Sequence, residues 1–128
     1  GVSGITVTFR EKYLNETLSY GKLPSNFPAD IPVEYNTSVI QNDTVRLKEK
    51  TQGTFQITSA NTADKNFEAY LAYLGGNGWK IISQVNDPRY SVKAILAFKE
   101  NGSMNINITP GQLSDTSIVS LIFITTSP

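Results

Sequence analysis

Residues 53–85 read GTFQITSANTADKNFEAYLAYLGGNGWKIISQV, and this stretch decides the fold. Thr54-Phe55-Gln56-Ile57-Thr58 alternates with a period of two and is rich in β-branched and aromatic residues, so it reads as a strand. Ala63, Phe67, Tyr70, Leu71 and Leu74 then share one stripe at a period of about 3.6, with Asp64, Lys65, Asn66, Glu68 and Ala72 off it. That spacing predicts an amphipathic helix from Ala63 to Leu74. Asn61 or Thr62 can accept from its first free N–H groups, Asp64 suits the positive end of its dipole, and Gly75-Gly76 offers left-handed residues to end it. The return strand opens on Trp79, the only tryptophan, which reads as a core plug over the helix C-terminus. A helix and two strands cannot bury their own apolar faces, so the flanking segments must supply the rest of the core.

Downstream, Lys80 to Val85 reads as a strand and Asn86-Asp87-Pro88-Arg89 as a type I turn. Tyr90, Val92, Ala94, Leu96 and Phe98 alternate and are expected to point inward, Asn101-Gly102 is a two-residue hairpin signal, and Met104, Ile106 and Ile108 alternate after it. Pro110-Gly111 breaks the ladder. Ile118 to Ile124 is apolar on both faces, with Val119, Leu121 and Phe123 opposed to Ile118, Ile122 and Ile124, as expected of a central strand or one covered on its second face. The expected cover is the N-terminal strand together with the proline segment; an uncovered face would be a docking surface.

Upstream, Ile5, Val7 and Phe9 alternate as a half-buried strand, and Leu14 to Tyr20 reads as a second. Leu23 to Tyr35 holds three prolines in nine positions, which excludes helix; Leu23, Phe27, Ile31, Val33 and Tyr35 are spaced as anchors across a sheet. Asn42-Asp43 reads as a turn, Val45 to Lys50 as a strand with Arg46, Lys48 and Lys50 on one solvated face, and Thr51-Gln52-Gly53 as the turn into the next strand. The expected fold is α+β: one helix packed in two layers on a five- to six-stranded antiparallel sheet, connected strand, helix, meander. It forms a single domain, 1–128, with an N-terminal strand region (1–21), a proline-rich surface segment (22–37) and the sheet with its helix (38–128). A helix feeding an antiparallel meander resembles cystatin-like folds in architecture alone.

Composition narrows the chemistry. Lys plus Arg and Asp plus Glu both total 11, without a run of one sign, so no nucleic-acid footprint is present. Cysteine and histidine are both absent, which removes disulfides, thiolate nucleophiles, imidazole bases and most transition-metal ligands. No phosphate loop, nucleophile elbow, zinc helix or acidic calcium loop occurs, so no catalytic, cofactor or metal residue is assigned. No segment approaches the roughly 20 apolar residues of a membrane span. Charged residues make up 17% against abundant Ser, Thr and Asn, a balance commoner in secreted and surface proteins. Five N-x-S/T triplets, at Asn15, Asn36, Asn42, Asn101 and Asn107, exceed the roughly two expected by chance and fit exposure outside the cell.

The string LPSNFPADIPVEY at 23–35, followed by a helix whose exit reads GW, resembles a recurrent domain of uncharacterised prokaryotic secreted proteins and lipoproteins. The matching residues are Leu23, Pro24, Phe27, Pro28, Asp30, Ile31, Pro32 and Tyr35, then Tyr70, Leu74, Gly78 and Trp79, and the similarity spans roughly Lys22 to Thr126. Glu34-Tyr35-Asn36 stands here where a Tyr-Pro-Gly turn is usual in that domain. The resemblance implies an extracytoplasmic address, secreted or tethered by a lipid on a cysteine upstream of Gly1, and brings no activity with it.

These readings favour a non-enzymatic extracytoplasmic binding module whose partner is a protein or cell-envelope component, with no cofactor and no nucleic acid. Its contacts are expected at Tyr13, Tyr20, Tyr35 and Tyr90, which turns leave outside the core, and at Ile118, Ile122 and Ile124. One alternative is a small apolar-ligand carrier with a pocket of a few hundred Å³ between helix and sheet, lined by Phe67, Leu71, Leu96 and Phe123. A second is an inhibitor or immunity-type protein presenting Asp87-Pro88 or Asn101-Gly102 as a rigid turn. An enzyme built on Asp, Glu, Lys, Ser or Tyr would instead show clustered carboxylates with shifted pKa values.

Overall fold

The stripe on residues 63–74 folds as read, and everything else is arranged around it. The computed structural model describes residues 24, 26–28, 30–33, 39–89, 91–113 and 115–126. In chain order they form β1 (Val39–Arg46), β2 (Lys50–Ser59), α1 (Ala63–Gly76), β3 (Lys80–Val85), β4 (Lys93–Lys99), β5 (Gly102–Pro110) and β6 (Ser117–Thr126). The six strands make one antiparallel sheet in the order β1-β2-β6-β5-β4-β3. The fold is thus α+β and mostly β, and β6, the most apolar strand, sits inside the sheet between β2 and β5. The expected strands over Ile5–Phe9 and Leu14–Tyr20 lie outside the described residues.

Thr62 caps α1, its Oγ1 accepting from Lys65 N at 3.1 Å. The helix runs past the expected stop, through Gly75 and Gly76, with Asn77 as its C-cap. Gly78 takes the left-handed conformation, with φ of 80°, and Trp79 N donates to Leu74 O at 3.1 Å, the bond that closes a Schellman ending. That bond also turns Trp79 into the core. Phe67, Tyr70 and Leu74 are buried against β3, β4, β5 and β6, with Ala63 and Leu71 partly buried beside them.

The proline segment corrects one expectation. Instead of covering Ile118, Ile122 and Ile124, it lies on the same sheet face as α1. Two turns fold it, Phe27 N donating to Pro24 O and Ile31 N to Pro28 O. Phe27 and Ile31 are buried, and Asn26 Nδ2 staples β2 to β6 by donating to Thr51 O at 3.1 Å and Phe123 O at 3.0 Å. Gly53 permits this, since a Cβ there would meet Phe27 at 2.7 Å and Pro24 at 2.7 Å. Tyr70 Oη donates to Pro32 O at 2.6 Å and so joins the segment to the helix. Leu23 and Tyr35 lie outside the described residues.

The first hairpin also differs. Asn42-Asp43 continues β1, and the chain reverses at 47–49, where Leu47 N donates to Lys50 O. Thr51-Gln52-Gly53 is paired strand. Arg46, Lys48 and Lys50 therefore end one strand, occupy the turn and begin the next; they share exposure, not one strand face. Among the described strands the two at the edges, β1 and β3, carry an irregularity in register, at Ile40 and at Ile82, a device that blunts edges against further pairing.

β4 is inverted relative to expectation. Ile95 and Ala97 are buried under the helix, whereas Ala94, Leu96 and Phe98 face the other way. A two-residue connection, here Glu100-Asn101 with Lys99 paired to Gly102, joins residues of opposite parity. Inward Met104, Ile106 and Ile108 thus force the odd positions of β4 inward. Those positions include Lys93 and Lys99; Lys99 is exposed, whereas Lys93 is mostly buried, its Nζ pairing with Asp64 Oδ1 at 2.9 Å and donating to Asn86 Oδ1. Lys93 Nζ lies 5.9 Å from the Phe67 ring centre and Lys99 Nζ 5.5 Å from that of Trp79.

Candidate interaction face

Register places every described side chain of the sheet on one of two faces. The inner face holds Phe55, Ile57, Ile95, Ala97, Met104, Ile106, Ile108, Val119, Leu121 and Phe123 in one buried cluster with α1 and the proline segment. Phe123 is its hub at one end, meeting Phe27 edge-on at 5.6 Å and Trp79 at 5.5 Å. At the other end, Asn66 lies buried on the helix and donates from Nδ2 to Ser59 Oγ at 2.9 Å and to Ser117 Oγ at 2.8 Å. Ser117 Oγ in turn donates to Asn61 O, and Ser59 Oγ accepts from Asn61 N. This polar knot ties the helix N-terminus to the ends of β2 and β6.

The outer face has a different character, and no described element lies across it. Paired rows run Val45, Gln52, Ile124, Ser103, Phe98; then Asp43, Thr54, Ile122, Asn105, Leu96; then Gln41, Gln56, Ser120, Asn107, Ala94. Ile118 completes the β6 stripe between Thr58 and Thr109. Apolar stripes on β4 and β6 thus flank a polar stripe on β5, where Asn107 Nδ2 donates to Asn105 Oδ1 at 2.7 Å. Ile118, Ile122, Ile124 and Leu96 are half-buried, and Phe98 is 46% exposed. Charge enters this face at Asp43, at Lys80 of β3, which pairs with Phe98, and at Lys50, which pairs with Thr126 at its end. The inversion of β4 adds Leu96 and Phe98 to the expected trio, so two of these five apolar residues were expected on the other face.

Of the other expected contacts, Tyr13, Tyr20, Tyr35 and Tyr90 lie outside the described residues. The carrier quartet is divided: Phe67 and Phe123 are buried in the core, Leu71 is partly buried against it, and Leu96 stands on the opposite side of the sheet. A cleft of about 160 Å³ does lie between helix and proline segment, lined by Pro32, Val33, Asn61, Asn66, Ala69 and Tyr70. Two open grooves of about 290 Å³ each flank the β4–β5 turn. Asp87 and Arg89 close on each other through a 2.7 Å ion pair, and Arg89 N donates to Asp87 Oδ1, which makes the β3–β4 connection a locally tied, exposed loop.

Acid–base character is sparse among the described residues. The Arg89 side chain beside it, then the Arg89 N–H, holds Asp87 below the usual carboxylate range, and the same pairing raises Arg89. Burial, with the hydrogen bond to Asp30 Oδ1 at 2.9 Å, pushes the Tyr73 phenol up to about 12. Neither group sits in a cluster: no group of three or more carboxylates that could hold a metal ion occurs among the described residues. No described helix is long and apolar enough to cross a membrane. No protein-family model, curated protein or solved structure matches this chain.

Proposed function

We propose that this chain is a non-enzymatic, extracytoplasmic binding module, secreted or tethered to the cell surface, that docks an envelope-borne protein through the outer face of its sheet. The observation that carries the proposal is the pair of apolar stripes, Ile118, Ile122 and Ile124 on β6 with Leu96 and Phe98 on β4, over which no described element packs. The domain is read as two-layered, helix and proline segment together forming the layer that closes the inner face. The outer face then remains for a partner. Its charges stand at the margins, Lys50 and Lys80 toward one end and Asp43 toward β1, so the centre calls for a partner surface poor in charge, recognised by apolar contact and amide or hydroxyl hydrogen bonds.

The test is co-sedimentation with envelopes of the producing cells. Ile122→Lys should weaken binding on the order of ten-fold, as loss of a central apolar anchor does. Lys48→Ala, in the exposed turn, should not change it. Binding should persist when salt rises from ~0.05 M to ~0.5 M, because charge steering would be screened over that range. Equal binding by a folded Ile122→Lys protein would refute the proposal.

A further inference from the structure

An N-linked glycan needs an acceptor amide that an enzyme can reach and a backbone from which the sugar chain can stand clear. The three described triplets differ sharply in both respects. Asn42 is 8% exposed within β1. Asn107 is half-buried within β5, its amide donating to Asn105, and Pro110 follows its triplet. Asn101 is exposed, at the tip of the β4–β5 connection, with its carbonyl anchored by Thr126 N at 2.9 Å. Asn15 and Asn36 lie outside the described residues.

What singles out the Asn101 turn further is its frame. Phe98 and Ser103 face each other across it on the outer face, so the hydroxyl that the triplet requires and a ring 46% exposed stand on the same side of the acceptor. One of the grooves of about 290 Å³ runs along this side, lined by Phe98, Asn101, Ser103 and Ile124 among others. The C–H face of a pyranose, weakly positive, is complementary to the negative face of an aromatic ring. We propose that Asn101 is an N-glycosylation site and that the first sugar residue rests on Phe98, at the turn end of the outer face, which leaves Ile118, Ile122 and Leu96 to the partner; the proposal rests on the extracytoplasmic reading above.

In the reaction, Asn101 Nδ2 attacks the anomeric carbon of an oligosaccharide carried on a polyprenyl phosphate. The N–C bond forms as the bond from that carbon to the phosphate oxygen breaks, the amide gives up one proton, and the lipid phosphate leaves. No oxidation state changes. The co-reactants are the lipid-linked donor and its transferase.

The full chain, directed by a signal peptide through a glycosylating secretory pathway, is mapped by glycopeptide mass spectrometry. A glycan is expected at Asn101 and at neither Asn42 nor Asn107, and it should vanish in Asn101→Gln and in Ser103→Ala. Enzymatic removal should lower the melting temperature by about 2–4 °C in the parent and by less than half as much in Phe98→Ala, which keeps the triplet. An unmodified Asn101 in the folded secreted chain would overturn the proposal, and an equal shift in Phe98→Ala would overturn the role of the ring. A glycan on that chain but none on protein isolated from its own cells would instead overturn the extracytoplasmic reading while leaving the acceptor geometry standing.

Discussion

Replacing Asn66 with alanine tests the least obvious feature of the interior. The amide donates two hydrogen bonds, at 2.9 Å to Ser59 and 2.8 Å to Ser117, and both serines are essentially sealed from solvent. Neither hydroxyl is orphaned by the change, since Ser59 still accepts from Asn61 N and Ser117 still donates to Asn61 O. The loss therefore stays near the net value of about 1 kcal/mol per hydrogen bond, plus up to a similar amount for the small void, or about 2–3 kcal/mol together. At roughly 2.1 cal/mol/K per residue, 128 residues give an unfolding entropy of about 270 cal/mol/K, so the melting temperature should fall by about 7–11 °C. Urea unfolding should show the lower midpoint with an unchanged slope. Asn66→Asp, which keeps the shape, places a carboxyl where burial raises its pKa. The folded state then holds the proton more tightly than the unfolded state, so this variant should be most stable below the unfolded value of about 3.9 and lose stability as pH rises. A melting temperature within about 2 °C of the parent for Asn66→Ala, or an Asn66→Asp protein as stable as the parent at neutral pH, would refute the reasoning.

Gly53→Ala forces a Cβ against Phe27 and Pro24 and should cost about 1–3 kcal/mol, seen as a fall of about 4–11 °C in thermal unfolding, because the proline segment must lift from β2. Gly78→Ala keeps its neighbours at ordinary distance yet holds a side chain at φ of 80°, and a loss of about 1–2 kcal/mol in urea unfolding is expected from backbone strain alone. Tyr73 should titrate near pH 12 in the ultraviolet difference spectrum between the parent and Tyr73→Phe. Its raised pKa adds stability that is complete below the unfolded value of about 10 and is lost as pH rises through 12.

Much of this architecture is legible in the residues because helix and strand periods differ. The 3.6-residue stripe located α1, the bounds of β3 coincide with the expected Lys80 to Val85, and the two apolar faces of Ile118 to Ile124 placed β6 inside the sheet. Where reading failed, polar residues were counted as surface. Asn66 looked like a solvated helix position, yet it is buried because Ser59 and Ser117 arrive from distant strands to satisfy it, a pairing that no local pattern shows. Lys93 and Lys99 made the inner face of β4 look polar, while Leu96 and Phe98 made its outer face look buried. The parity imposed by the two-residue connection was available in the sequence and outweighs that appearance. Asn42-Asp43 carries a turn signature but sits in a strand at the edge of the described sheet, where Gln41 Nε2 donates to Asp43 at 2.8 Å. Of the candidate contact residues, the β6 isoleucines fall on the outer face as one stripe, and the tyrosines lie outside the described residues.

The central claim is that the two faces of β6 differ in access. The chain has no cysteine, so single replacements report without background. Ile122→Cys and Val119→Cys, three residues apart on one strand but on opposite faces, would be reacted with a maleimide under native conditions and again in denaturant. The account predicts that the thiol at 122 reacts within about an order of magnitude of its unfolded rate, while that at 119, where the native valine is 1% exposed, reacts only through unfolding, at least about a hundred-fold more slowly. Equal protection at both positions would mean that the outer face is covered, and would contradict its assignment as the docking surface.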